Sequence, residues 1–149
     1  MERKDILLVE DNADDIELAK RAFQKNNIIN NIVITRDGSE TLDYLYGKGK
    51  FKGRDINNIP RLILLDLKMP KVHGIEVLKQ IRENELTKYI PVIILTSSQD
   101  KKDIIQAYEL GANSYIVKPI DFVKFTEVVQ QIAMYWLSLN EQPLFKRGE

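Results

Sequence analysis

A chain of 149 residues, 44% hydrophobic and 30% charged, has the balance of one globular domain with one core, not of a disordered or fibrous protein. Its 22 Lys and Arg offset 22 Asp and Glu, so no net field draws it to nucleic acid or to an anionic membrane surface. The lack of cysteine excludes a disulfide framework, a thiol nucleophile and thiolate metal sites, and agrees with a reducing cytoplasm, the expected location.

The start, Met1 to Asp5, enters an apolar run of four residues, too short for a signal peptide or a membrane span. That run, Ile6 to Val9, is the first of five. The others are Ile32 to Ile34, Leu62 to Leu65, Val92 to Leu95 and Tyr115 to Val117. All are rich in Ile, Val and Leu with little alternation, as in strands buried on both faces. Segments with helical period lie between them. Asn12 precedes the first, Asn26-Asn27 can end it, Pro91 opens the fourth strand and Gly111 closes the fourth helix. In the last helix Phe122, Phe125, Val129, Ile132 and Trp136 form one stripe after a capping Asp121. Five strand-helix alternations call for a parallel sheet with right-handed crossovers, a doubly wound α/β sandwich. Gly47 to Pro60, with Lys48, Lys50, Lys52 and Arg54, reads as a long exposed loop, a solvated insertion. The domain is expected over 1–137, with a loosely held tail over 138–149 that includes Pro143 and Gly148.

Polar residues stand where the strands finish: Glu10-Asp11 after the first, Asp66 after the third, Thr96 after the fourth and Lys118 after the fifth. In an open parallel sheet the carboxyl ends of strands meet beside a crevice where the topology reverses, so these residues should converge. Three carboxylates in one crevice repel each other unless a cation shares the site. Magnesium suits it, since it takes oxygen ligands and commonly uses one or two carboxylates plus a phosphate oxygen. One carboxylate then remains free to react as a nucleophile toward phosphorus, and phosphoryl transfer needs mainly positioning and charge neutralisation. Lys118 supplies a further positive charge, and Thr96 a hydroxyl donor for a phosphoryl oxygen.

The runs Leu7-Leu8-Val9-Glu10-Asp11-Asn12, Asp66-Leu67-Lys68-Met69-Pro70 with Gly74, Leu95-Thr96-Ser97, and Gly111-Ala112 followed by Tyr115-Ile116-Val117-Lys118-Pro119 resemble the receiver domain of two-component response regulators. The likeness extends nearly to Trp136. It implies a flavodoxin-like (βα)5 fold with a five-stranded parallel sheet and Asp66 as phosphoacceptor. It further implies Glu10, Asp11, Asp66 and the main-chain carbonyl of Lys68 around Mg2+, Lys118 paired to the phosphoryl group, and Thr96 with Tyr115 as the switch. The implied donor is a sensor histidine kinase, and the module signals by protein contact rather than as an enzyme. Many receivers carry two aspartates where this chain has Glu10-Asp11, which makes Asp11 the expected direct ligand and lets Glu10 act through water. His73, at a position often acidic in relatives, is expected at the surface. The long loop and aromatic last helix resemble stand-alone regulators that pair with bacterial phytochromes.

Three rivals fit less well. A haloacid-dehalogenase-type phosphatase needs a second Asp two residues after the nucleophile, where this chain has Lys68. A DNA-binding regulator needs a recognition unit that nothing after Trp136 supplies. A flavodoxin needs a glycine- and hydroxyl-rich loop where Glu10-Asp11 stand. The aromatic end of the last helix, Tyr135 and Trp136, with Phe122 and Phe125 not all fitting beneath the sheet, leads to an expected two-fold homodimer through helix four, strand five and helix five.

Overall fold

The computed structural model of the protein describes residues 5–119 and 121–143. Five strands, β1 (Ile6–Val9), β2 (Ile32–Thr35), β3 (Leu62–Leu65), β4 (Val92–Thr96) and β5 (Ser114–Val117), alternate with α1 (Ala13–Lys25), α2 (Gly38–Tyr46), α3 (Gly74–Glu83), α4 (Lys101–Glu109) and α5 (Phe122–Ile132). The sheet is parallel throughout, in the order β2-β1-β3-β4-β5. This is the flavodoxin-like doubly wound sandwich, with its topological reversal between β1 and β3.

The pleat sorts the strand residues onto two cores. Leu7, Val9, Ile63, Leu65, Val92 and Ile94 point to the side of α2, α3 and α4, where they pack on Leu45, Val77, Leu78, Ile81 and Ala107. Ile6, Leu8, Leu62, Leu64, Ile93 and Leu95 point to the side of α1 and α5 and pack on Ala19, Phe23, Phe125, Val129 and Ile132. Every residue of the three central strands is buried, which is why their sequences run apolar without alternation. The edge strands bury less.

Side-chain caps start the helices: Asn12 accepts from the Asp15 amide, Asp37 from Glu40, Asp100 from Lys102 and Asp121 from Lys124. Gly111, at φ 97°, turns the chain out of α4 in a conformation that β-carbon-bearing residues avoid. Arg82 of α3 then fastens this corner. Its guanidinium donates to the carbonyls of Gly111, Lys88 and Ile90 and to Asn113 Oδ1, which also receives the Val92 amide. Burial lowers its pKa from the ordinary value without removing its charge.

The segment from Gly47 to Pro60 is less open than a solvated insertion. A 3-10 turn at Gly49–Phe51 lays Phe51 edge-on against Tyr44, at 5.2 Å between ring centroids. Arg54 stacks over Tyr44 at 3.9 Å and donates to its carbonyl, and Ile59 packs on the core. Beyond α5 the chain continues in a wider π-helical segment, Ala133–Leu139. Arg61, just before β3, donates to the carbonyls of Leu137 and Asn140 and receives Gln142 Nε2 at 2.6 Å, which ties down 138–143 of the expected tail. Residues 144–149 of that tail, with Gly148, lie outside the described residues.

Candidate functional site

The carboxyl ends of β1 and β3 sit side by side at the reversal, paired Val9 to Leu65, so Glu10, Asp11 and Asp66 emerge next to one another. One carboxylate oxygen from each lies within 4.8 Å of the other two. Glu10 and Asp66 are 3% and 6% exposed, whereas Asp11 faces solvent. Charge of one sign confined in this way destabilises a fold unless something offsets it.

Lys118, the first residue past the carboxyl end of β5, supplies the offset. Its main chain is held by the Lys118 amide donating to the Thr96 carbonyl at 2.8 Å. Its Nζ donates to Glu10 Oε1 at 2.5 Å, to Asp15 Oδ2 at 2.8 Å and to Asp66 Oδ2 at 3.1 Å. An ammonium has three donors, and all three are used. Burial alone would lower the lysine pKa, but the hydrogen bonds to Asp15 and Glu10 and the charge of Asp66 outweigh it and raise the pKa above its ordinary value. For Glu10, burial pushes the carboxyl up to about 7; the hydrogen bond to Lys118 works the other way, and neighbouring Asp66 adds to the rise. Glu10 Oε2 also accepts the Asn12 amide at 3.2 Å.

The loop after β3 wraps round Asp66. Asp66 Oδ1 accepts the Lys68 amide at 3.2 Å, so the backbone of Lys68 lies beside this carboxylate while its side chain is exposed. The loop returns through Met69-Pro70 and Lys71, which adopts φ 64°, to Gly74, whose amide donates to the Leu67 carbonyl. Gly74 is required there: a β-carbon would lie 2.5 Å from the Asp66 carbonyl oxygen and 2.6 Å from Leu67 Cα. His73 is exposed and caps α3 by accepting the Ile75 amide, as expected of a surface residue.

At the end of β4, Thr96 is fully buried, with its Oγ1 3.5 Å from the Ser98 amide. The Tyr115 hydroxyl donates to the Ser98 carbonyl at 2.9 Å, so its ring lies inward over the loop between β4 and α4. Burial raises the Tyr115 pKa above its ordinary value. Ser98 Oγ in turn donates to Asp103 of α4 at 2.5 Å. Every residue expected at the site from sequence, Glu10, Asp11, Asp66, Lys68, Thr96, Tyr115 and Lys118, thus lies at or beside the carboxyl end of the sheet.

Two side-chain contacts at this end of the sheet were not foreseen from sequence. Asp15 meets Lys118 across 103 residues of sequence; its only local signal is a place in the first turn of α1, on the site side of the Asn12 cap. The Ser98–Asp103 pair has no signal beyond a hydroxyl and an acid five residues apart across a helix start. The aromatic stripe divides between core and surface. Phe125 fits beneath the sheet at 2% exposure, Phe122 and Trp136 are half-buried, and Tyr135, which packs edge-on against Trp136 at 4.8 Å, stays exposed. Further exposed apolar residues on the expected dimer face are Ile105 and Tyr108 of α4, Val117 of β5 and Val123 of α5.

Comparison with known proteins agrees with this geometry. Residues 6–130 match the family described as the response regulator receiver domain. The probable methanogenesis regulatory protein FilR2 of Methanothrix harundinacea is 42% identical over 141 residues, covering 93% of this chain and 86% of that protein. Response regulator Rcp1 of Synechocystis sp. is 38% identical, covering 94% and 93%. Among solved structures, the phosphorylated cyanobacterial phytochrome response regulator RcpA superposes with a TM-score of 0.88 at 37% identity, over 96% of this chain and 100% of that one. The Mn2+-bound form of Rcp1 gives 0.85 at 37% identity, over 95% and 99%.

Proposed function

Because the chain belongs to the response regulator receiver domain family, we propose that it accepts a phosphoryl group on Asp66 from a sensor histidine kinase, with magnesium, and signals through protein contacts. One observation carries this reading: Glu10, Asp11 and Asp66 converge within 4.8 Å of one another, with Lys118 Nζ 3.1 Å from Asp66.

The donor set fits the metal. It is all oxygen, it is anionic, and among the described residues its buried part has a single lysine against it, so a hard cation is favoured there. Glu10, Asp11, Asp66 and the main-chain carbonyl of Lys68 would hold the ion, which when bound neutralises charge on the acceptor and on the incoming phosphoryl group. Asp66 is the nucleophile: a carboxylate oxygen forms the new P–O bond as the P–N bond to the kinase histidine breaks, and that imidazole leaves with the electron pair and takes a proton. Lys118 stands beside the same carboxylate to pair with phosphoryl oxygens. The Thr96 hydroxyl then donates to the phosphoryl group and Tyr115 follows, which reshapes the face of α4, β5 and α5.

That face is the proposed output surface, with a two-fold homodimer as its first use. Ile105, Tyr108, Val117 and Val123 support this by leaving apolar area uncovered. Among the described residues no helix is long and apolar enough to cross a membrane. With no net charge, the chain has no electrostatic reason to bind nucleic acid, and we place its action in the cytoplasm. Incubation with acetyl phosphate, with and without magnesium, followed by intact mass tests the reading. One phosphoryl group gained only with magnesium supports it; none gained, or several, overturns it. Sedimentation with and without beryllofluoride tests the dimer, which must strengthen with the mimic.

A further inference from the structure

We propose that Asp15 is a restraining partner of Lys118, a positioning residue that holds the ammonium back from the phosphoryl group and so limits how readily Asp66 is phosphorylated. The inference rests on the phosphoacceptor reading of Asp66 and Lys118.

Lys118 has three donors and three carboxylates that take them, at 2.5, 2.8 and 3.1 Å for Glu10, Asp15 and Asp66. The shortest two are not to the phosphoacceptor. Any phosphoryl oxygen that is to pair with Lys118 must therefore displace one of these contacts. The three differ in what a cation in the acidic cluster would do to them. Glu10 and Asp66 belong to the cluster with Asp11, so positive charge there shares their oxygens and loosens their hold on the ammonium. Asp15 stands outside that cluster, on the first turn of α1, where the Asn12 cap receives its amide at 3.0 Å. Its grip on Lys118 survives metal binding. It becomes the contact that the phosphoryl group has to outcompete.

The size of the effect follows from exposure. The Asp15 side chain is 35% exposed, so water screens the pair, and its removal is expected to change rates by about two- to fivefold. Asp15→Asn keeps the shape and an acceptor oxygen but removes the charge. A bystander carboxylate would act directly on the incoming anion by repulsion, with or without Lys118; a restraining partner acts only through Lys118. The double-mutant cycle separates the two.

The experiment measures the rate of phosphorylation by acetyl phosphate and magnesium in wild type, Asp15→Asn, Lys118→Ala and the double variant. It also records the 15Nζ signal of Lys118 in metal-free wild type and Asp15→Asn, before and after beryllofluoride and magnesium. Asp15→Asn is expected to be about two- to fivefold faster than wild type, and the gain to vanish in the Lys118→Ala background. The Lys118 signal is expected to differ between the two metal-free proteins and to converge once beryllofluoride is bound. A slower or unchanged Asp15→Asn, the same gain without Lys118, or a Lys118 signal indifferent to Asp15 overturns the proposal. A wild type that takes no phosphoryl group overturns the phosphoacceptor reading itself.

Discussion

Replacing Lys118 with methionine removes the cation shared by three carboxylates while keeping a stem of similar length and apolar character. In the native protein Nζ contacts Glu10, Asp15 and Asp66, and the lysine side chain is 12% exposed. Breaking a buried ion pair from one side costs about 3–5 kcal/mol, because the remaining charge stays in the interior without compensation. Asp15, a third exposed, is screened and adds little, so the loss rests on Glu10 and Asp66. Its pH dependence has a definite sign. A carboxyl whose folded pKa is raised keeps its proton in the fold while the unfolded chain releases its own, so stability falls as pH rises from the unfolded value through the folded one. For Glu10 that window runs from 4.5 to about 7 with Lys118 present, and it widens upward without it. Urea titration of the metal-free variant at pH 8 should therefore read a loss of about 3–5 kcal/mol, and at pH 5 a loss of about 1 kcal/mol. Magnesium at pH 8 should restore part of the difference. A loss below about 1 kcal/mol at pH 8, or the same loss at both pH values, would refute the view that Lys118 offsets confined negative charge.

Three further outcomes follow from the same geometry. Gly74→Ala forces a β-carbon against the Asp66 carbonyl and Leu67 Cα, both backbone, and should cost about 1–3 kcal/mol in chemical denaturation and slow phosphorylation as the acceptor loop shifts. Magnesium binding should weaken as pH falls from 8 to 6, with proton release seen by calorimetry in buffers of different ionisation heat, because the cation favours the ionised form of Glu10, which burial holds up to about 7. Lys68→Asn should shorten the life of the phosphorylated state, since an amide two residues past Asp66 can orient an attacking water and a lysine is poorly suited to it; decay of the acyl phosphate followed by mass checks this.

The central strands were legible because burial on both faces leaves only Ile, Val and Leu at Ile6–Val9, at Leu62–Leu65 and over 92–95. The caps were legible too, since Asn12, Asp121 and Gly111 act on neighbours a few residues away. The site followed from strand ends, because a parallel doubly wound sheet brings Glu10, Asp11, Asp66, Thr96 and Lys118 to one edge whatever their separation. Side chains that reach across the chain were not legible. Asp15 finds Lys118, Arg82 finds Gly111 and Asn113, and Arg61 finds Leu137 and Asn140 only after folding, and none of these pairs leaves a period or a spacing in sequence. The Gly47 to Pro60 segment was legible in part: Lys48, Lys50 and Lys52 are exposed as read, while Phe51, Arg54 and Ile59 turn inward onto Tyr44 and the core.

Asp66, and no other residue, is proposed to take the phosphoryl group. Protein treated with acetyl phosphate and magnesium, reduced with borohydride and mapped by peptide mass tests it directly, because reduction converts an acyl phosphate to an alcohol that marks its position. One mark is expected, at position 66, absent without magnesium and absent from Asp66→Asn, which should remain folded since the amide is nearly the same shape. A mark at Glu10, Asp11 or Asp15, or a mark that persists in Asp66→Asn, would contradict it.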